Sequence, residues 1–139
     1  MGPSAGRADP MSPSGPPRHP PEVVLVDDSI EARRALRELL EPQGLVIVAE
    51  AVDGATGIER AKALEPDLVL MDVKMPGMSG IEATRIITGG LPETRVIVLT
   101  TFDDESLRRQ ADEAGATAYL IKGDPPQRIV DAVFRALGP

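Results

Sequence analysis

The chain predicts an α/β domain: a doubly wound parallel sheet of five strands, with five helices on its two faces. Two observations carry that prediction. Five short runs of unbroken apolar character recur along the sequence, at residues 23–26, 45–48, 68–71, 96–99 and 118–121. Continuous rather than alternating hydrophobicity implies strands covered on both faces, as in parallel sheets. Between the runs lie amphipathic stretches of helical length, and strict strand–helix alternation favours right-handed crossovers that put helices on both sides.

The elements follow in order. The first run, Val23-Val24-Leu25-Val26, leads into Asp27-Asp28-Ser29, and Ser29 is a suitable N-cap for a helix. In that helix Ala32, Leu36, Leu39 and Leu40 share one face, while Arg33, Arg34 and Arg37 are expected to point outward. Pro42 and Gly44 end it. The second strand, at 45–48, precedes a helix over 55–64, with Gly54-Ala55-Thr56-Gly57 as the loop that opens it. The third strand, at 68–71, precedes a helix over 81–88. The fourth, at 96–99, is followed by a helix over 105–114, and the fifth, at 118–121, by one over 126–137.

Residues 1–21 differ from all of this. They hold seven of the chain's 14 prolines and contain no Val, Leu, Ile or aromatic residue. Such a segment buries too little apolar surface to offset its ordering entropy, so a disordered, proline-rich tail is expected, with the folded domain at 22–139. Met11 is compatible with an alternative start or a junction.

Composition narrows the function classes. Among 139 residues there is no cysteine, which excludes disulfides and thiolate metal sites and fits a reducing compartment. The single histidine, His19, cannot form a histidine metal cluster. A net charge of −7 argues against direct nucleic-acid binding by this segment. No run approaches a membrane span and the N-terminus lacks the apolar core of a signal peptide, so the cytoplasm is the expected location.

In doubly wound folds the functional site lies beyond the carboxyl ends of the strands, where the strand order switches. The polar residues found there form a set. The first strand ends in Asp27-Asp28, the third in Asp72, the fourth in Thr100, and Lys122 follows the fifth. Three crowded carboxylates repel one another and need a counter-ion or a proton. An all-oxygen cluster suits a hard cation such as Mg2+, which bridges carboxylate and phosphate. Asp72 can then attack phosphorus as an anionic nucleophile, with Lys122 neutralising phosphoryl charge and Thr100 donating a hydrogen bond.

At these residues the chain resembles a known family. Val24-Leu25-Val26-Asp27-Asp28-Ser29, Met71-Asp72-Val73-Lys74-Met75-Pro76-Gly77-Met78-Ser79-Gly80, Leu99-Thr100-Thr101-Phe102 and Gly115-Ala116-Thr117-Ala118-Tyr119-Leu120-Ile121-Lys122 are similar to the signature blocks of CheY-like receiver domains of two-component response regulators. The Met75-Pro76-Gly77-Met78 loop and the Thr100-Thr101-Phe102 segment most resemble the NarL/FixJ (LuxR)-type subfamily, commonly joined to a C-terminal helix-turn-helix.

The resemblance implies the flavodoxin-like strand order 2-1-3-4-5 and a phosphorylation-controlled signalling switch. Asp72 would accept a phosphoryl group from a sensor histidine kinase. Asp28, Asp72 and the backbone carbonyl of Lys74 would hold Mg2+, with Asp27 acting mainly through a bound water. Thr100 and Tyr119 would form the switch, reshaping the surface where a partner or a second copy of the chain binds on phosphorylation. The domain would be no enzyme beyond promoting its own phosphorylation and dephosphorylation. It would be the regulatory part of a transcriptional regulator or a stand-alone receiver.

The kinase is expected to dock near the first helix, where Ile30 sits among Arg33, Arg34 and Arg37. One departure from the family pattern is Gly123-Asp124, where many receivers follow the lysine with a cis-proline; a permissive turn is expected to leave Lys122 less fixed. Two other readings remain open. A Mg2+-dependent aspartyl-phosphate hydrolase would need a general acid two residues after its nucleophile, where this chain has Lys74. A binding module that keeps the fold without accepting phosphate is the other. No Walker loop or dinucleotide fingerprint follows the first strand.

Overall fold

The most apolar runs of the chain form the middle of its sheet. The computed structural model describes residues 19–138. Most of the expected tail, residues 1–18, therefore lies outside the described residues. Pro21, placed in the tail from sequence, already belongs to the fold, because its carbonyl accepts the Val46 amide at 2.9 Å.

Five strands, β1 (Glu22–Val26), β2 (Val46–Ala51), β3 (Leu68–Met71), β4 (Arg95–Thr100) and β5 (Ala118–Ile121), alternate with five helices. The helices are α1 (Ile30–Leu40), α2 (Gly54–Leu64), α3 (Gly80–Gly90), α4 (Glu105–Glu113) and α5 (Pro126–Leu137). Every strand pair is parallel and the order is β2-β1-β3-β4-β5, the doubly wound order 2-1-3-4-5. Side chains of the central strands alternate between the two faces. Val23, Leu25, Leu70, Ile97 and Leu99 pack with Leu36 and Leu40 of α1 and Val133 of α5. Val24, Val26, Val69, Met71 and Val96 pack with Ile58 of α2 and Ile87 of α3.

Local chemistry sets the helix starts. Ser29, Asp53, Ser79 and Asp104 each accept a backbone amide from the first turn of α1 to α4. Gly57 lets α2 approach the sheet, since a Cβ there would lie 2.9 Å from both Val26 methyl groups. Among the described residues no helix is long and apolar enough to cross a membrane.

Four expectations need correction. Burial on both faces holds for the three middle strands but not for β2 or β5, which are mostly half-buried because they are the sheet edges. β2 continues to Ala51, past the end of its apolar run, because Glu50 on this edge strand is paired by the arginines of α1. α3 continues through Gly89 and Gly90, with the Leu91 amide closing its last turn on Ile87; packing of buried Ile87 outweighs the poor propensity of glycine. Arg33 and Arg37 do not simply point outward. Arg33 meets Glu50 at 2.7 Å with only 11% of its side chain exposed, and Arg37 bridges Glu50 and Glu41 at 2.6 Å each. The reason is register: β2 lies beside β1 and brings Glu50 opposite Leu25, within reach of α1.

Candidate functional site

The carboxyl ends of β1 and β3 are adjacent, and that adjacency assembles the site. The Asp72 amide donates to the Val26 carbonyl at 2.9 Å, and the Asp27 amide donates to the Ala51 carbonyl at 3.0 Å. Asp27, Asp28 and Asp72 each offer a carboxylate oxygen, and these oxygens lie within 4.8 Å of one another. Asp27 and Asp72 are buried, whereas Asp28 is exposed.

Lys122 closes the cluster from β5. Its Nζ lies 2.6 Å from Asp27 Oδ2 and 3.4 Å from Asp72 Oδ2. Just before Gly123, the Lys122 amide donates to the Thr100 carbonyl at 2.8 Å. Asp72 Oδ1 accepts the Val73 amide at 2.8 Å. Burial pushes the Asp72 carboxyl above the ordinary aspartate range, with Asp27 adding to the rise and Lys122 and the Val73 amide opposing it.

Thr100 is fully buried at the end of β4, and its Oγ1 accepts the Phe102 amide at 3.3 Å. Tyr119 on β5 donates its hydroxyl to the Phe102 carbonyl, and Arg108 lies 4.7 Å from its ring centroid. Phe102 thus joins the two expected switch residues through its own backbone. Its ring receives the Lys74 ammonium 4.7 Å from the centroid, which brings the β3–α3 and β4–α4 loops together over the rim. Ile30, at the start of α1, is 53% exposed, and Arg34 is exposed beside it. Arg33 and Arg37 are committed to Glu50, so of the expected docking cations only Arg34 is uncommitted among the contacts described.

The donor set fits a hard divalent cation. All three groups are carboxylates, and exposed Asp28 gives the cluster an open side from which waters would complete the coordination shell of a bound cation. A groove of about 430 Å3 between α1 and α5, lined by Leu36, Leu39, Leu99, Pro126 and Ile129, reaches the cluster only through Lys122.

Sequence reasoning missed Gly80. Its amide donates to the Val73 carbonyl at 2.8 Å, and a Cβ at this position would lie 1.7 Å from the Asp72 carbonyl oxygen. Only glycine lets the start of α3 cross the backbone of Asp72 this closely. Its sequence signals are its place just after the helix cap Ser79 and at the end of the block quoted above, which gave it no role.

Comparison with known proteins bears on the family and the fold. Residues 23–134 match the family model described as the response regulator receiver domain. The chain is 42% identical over 114 residues to the transcriptional regulatory protein LnrK of Bacillus subtilis, covering 81% of this chain and 52% of that protein. It is 42% identical over 115 residues to the transcriptional regulatory protein LiaR of the same organism, covering 82% and 54%. The chain therefore spans about half the length of these curated relatives. Among solved structures, a LuxR-family two-component response regulator from Aurantimonas sp. SI85-9A1 superposes with a TM-score of 0.81 at 34% identity, covering 85% of each chain.

Proposed function

The chain belongs to the response regulator receiver domain family, and we propose that it is a phosphorylation-controlled switch that takes a phosphoryl group from a sensor histidine kinase onto Asp72. The observation that carries this reading is the placement of the Asp72 carboxylate between Lys122, at 3.4 Å, and two further carboxylates within 4.8 Å. Asp28, Asp72 and the Lys74 carbonyl would hold Mg2+, which when bound neutralises the carboxylates and the charge of the phosphoryl oxygens. Both Asp27 oxygens already have protein donors, the Ser29 amide at 2.9 Å and Lys122 at 2.6 Å, which favours an indirect role through water.

The chemistry of this chain's own groups follows. An Asp72 carboxylate oxygen forms the new O–P bond as the P–N bond of a phosphohistidine breaks, and the imidazole keeps that electron pair. The Lys122 ammonium, already facing Asp72, stabilises the charge on the transferred group. Val73 keeps one Asp72 oxygen fixed through its amide.

Signalling then runs through Thr100. A phosphoryl oxygen offers its hydroxyl a charged acceptor, a bond contributing about 1.5–3 kcal/mol. The present 3.3 Å contact with the Phe102 amide is long for a hydrogen bond and gives way readily. Releasing Phe102 also disturbs the acceptor of the Tyr119 hydroxyl, so α4 and β5 change where a partner or a second copy binds. As the matched relatives are transcriptional regulators, the output is taken to be transcriptional control by a larger protein of which this is the regulatory part.

The test is spectroscopic. Beryllofluoride with Mg2+, a mimic of the bound phosphoryl group, should shift the ring signals of Tyr119, the chain's one tyrosine, in the parent and not in Asp72→Asn. An unchanged Tyr119 signal with Asp72 demonstrably occupied would overturn this route.

A further inference from the structure

We propose that Arg33 is a positioning residue for the cation site: its guanidinium fixes the Asp27 carbonyl and thereby the peptide that leads into Asp28. The proposal rests on the reading of the acidic cluster as a Mg2+ site. Three polar groups of Asp27 are held by other parts of the fold: its amide by Ala51, one carboxylate oxygen by Ser29 and the other by Lys122. The fourth is its carbonyl, which lies past the last ladder bond of β1 and before the first turn of α1. Arg33 Nη1 donates to that carbonyl at 2.6 Å.

The same guanidinium is anchored at its other end. Arg33 Nε donates to Glu50 Oε1 at 2.7 Å, and Glu50 is in turn gripped by Arg37 at 2.6 Å through its second oxygen. The edge strand is thus linked, through one rigid and mostly buried side chain, to the first peptide of the acidic loop. A peptide unit is planar, so the Asp27 carbonyl and the Cα of Asp28 move together. Holding the carbonyl limits where the exposed Asp28 carboxylate can go. Lysine cannot substitute, because the two bonds leave from different nitrogens of one planar fork.

Charge and position predict opposite signs. If Arg33 acted through its charge alone, removing a cation near three carboxylates would strengthen Mg2+ binding. If it acts by position, removal weakens binding despite the lost repulsion.

The experiment is Mg2+ titration by calorimetry, together with amide hydrogen exchange at Ser29 in EDTA, on the parent, Arg33→Gln, Arg33→Lys and Arg37→Gln. Both Arg33 variants should raise the Mg2+ Kd by roughly tenfold or more, the usual loss when a partner orienting a metal ligand is removed. Both should also speed exchange at Ser29, whose amide bonds Asp27 Oδ1. Arg37→Gln, which loosens Glu50 but leaves both Arg33 bonds in place, should change both readouts less than either Arg33 variant does. Parent-like or tighter Mg2+ binding in Arg33→Gln, or full recovery in Arg33→Lys, overturns the proposal. Should Arg33→Gln fail to fold, Arg33→Lys alone decides it. A parent chain that binds no Mg2+ would sink the cation-site reading instead, and Ser29 exchange would then decide whether Arg33 holds the loop.

Discussion

Replacing Asp72 by asparagine removes a buried charge from a crowded site, and the metal-free domain should become more stable. At an effective dielectric of about 20, the attraction between Asp72 and Lys122 at 3.4 Å is about 5 kcal/mol. Repulsion from a carboxylate within 4.8 Å is at least about 3.5 kcal/mol on the same scale, and exposed Asp28 adds a smaller, screened share. Attraction and repulsion nearly cancel, so burial decides the sign. Desolvating one carboxylate costs several kcal/mol, against about 1.5–3 kcal/mol from the Val73 amide, which leaves a net penalty of about 1–2 kcal/mol. The folded-state pKa of Asp72 is raised, so ionisation disfavours the folded state. The advantage of Asp72→Asn should therefore be full above the raised folded pKa and should fade as pH falls toward the unfolded value of 3.8. Urea unfolding in EDTA between pH 7 and pH 4 measures it, and added Mg2+ should stabilise the parent more than the variant. A variant no more stable than the parent at pH 7, or a difference independent of pH, would refute the electrostatic reasoning.

Three further perturbations probe separate parts of the account. Gly80→Ala places a methyl group on the Asp72 carbonyl and must shift backbone, so it should cost about 2–4 kcal/mol in urea unfolding and slow labelling of Asp72. Thr100→Ala should still accept a phosphoryl group from acetyl phosphate, yet show no Tyr119 shift with beryllofluoride; a parent-like shift would remove Thr100 from the signalling route. Ile30→Glu should impair transfer from a cognate kinase while leaving acetyl-phosphate labelling intact, and loss of both would indicate a folding defect rather than a docking role.

The strands were legible because their apolar runs are unbroken and their ends carry acids, a hydroxyl and an amine at consistent places. Asp27, Asp28, Asp72, Thr100 and Lys122 sit on one rim because parallel strands all end on the same side. What stayed hidden depends on contacts between distant segments. Periodicity gave Arg33 an outward face, but nothing local announces that β2 will pass beside β1 and offer it Glu50. Gly80 stood only at the end of a family-like block with no role of its own, because the crossing of α3 over the Asp72 backbone exists only once the chain is folded. The end of α3 was missed where two glycines argue locally against a helix that burial of Ile87 supports.

Mass analysis of the intact chain after incubation with acetyl phosphate and Mg2+ tests the central claim most directly. The account predicts one added phosphoryl group, labile to base and hydroxylamine, lost on addition of EDTA before the reagent and absent from Asp72→Asn. Equal labelling of Asp72→Asn, or labelling of the parent indifferent to EDTA, would contradict it.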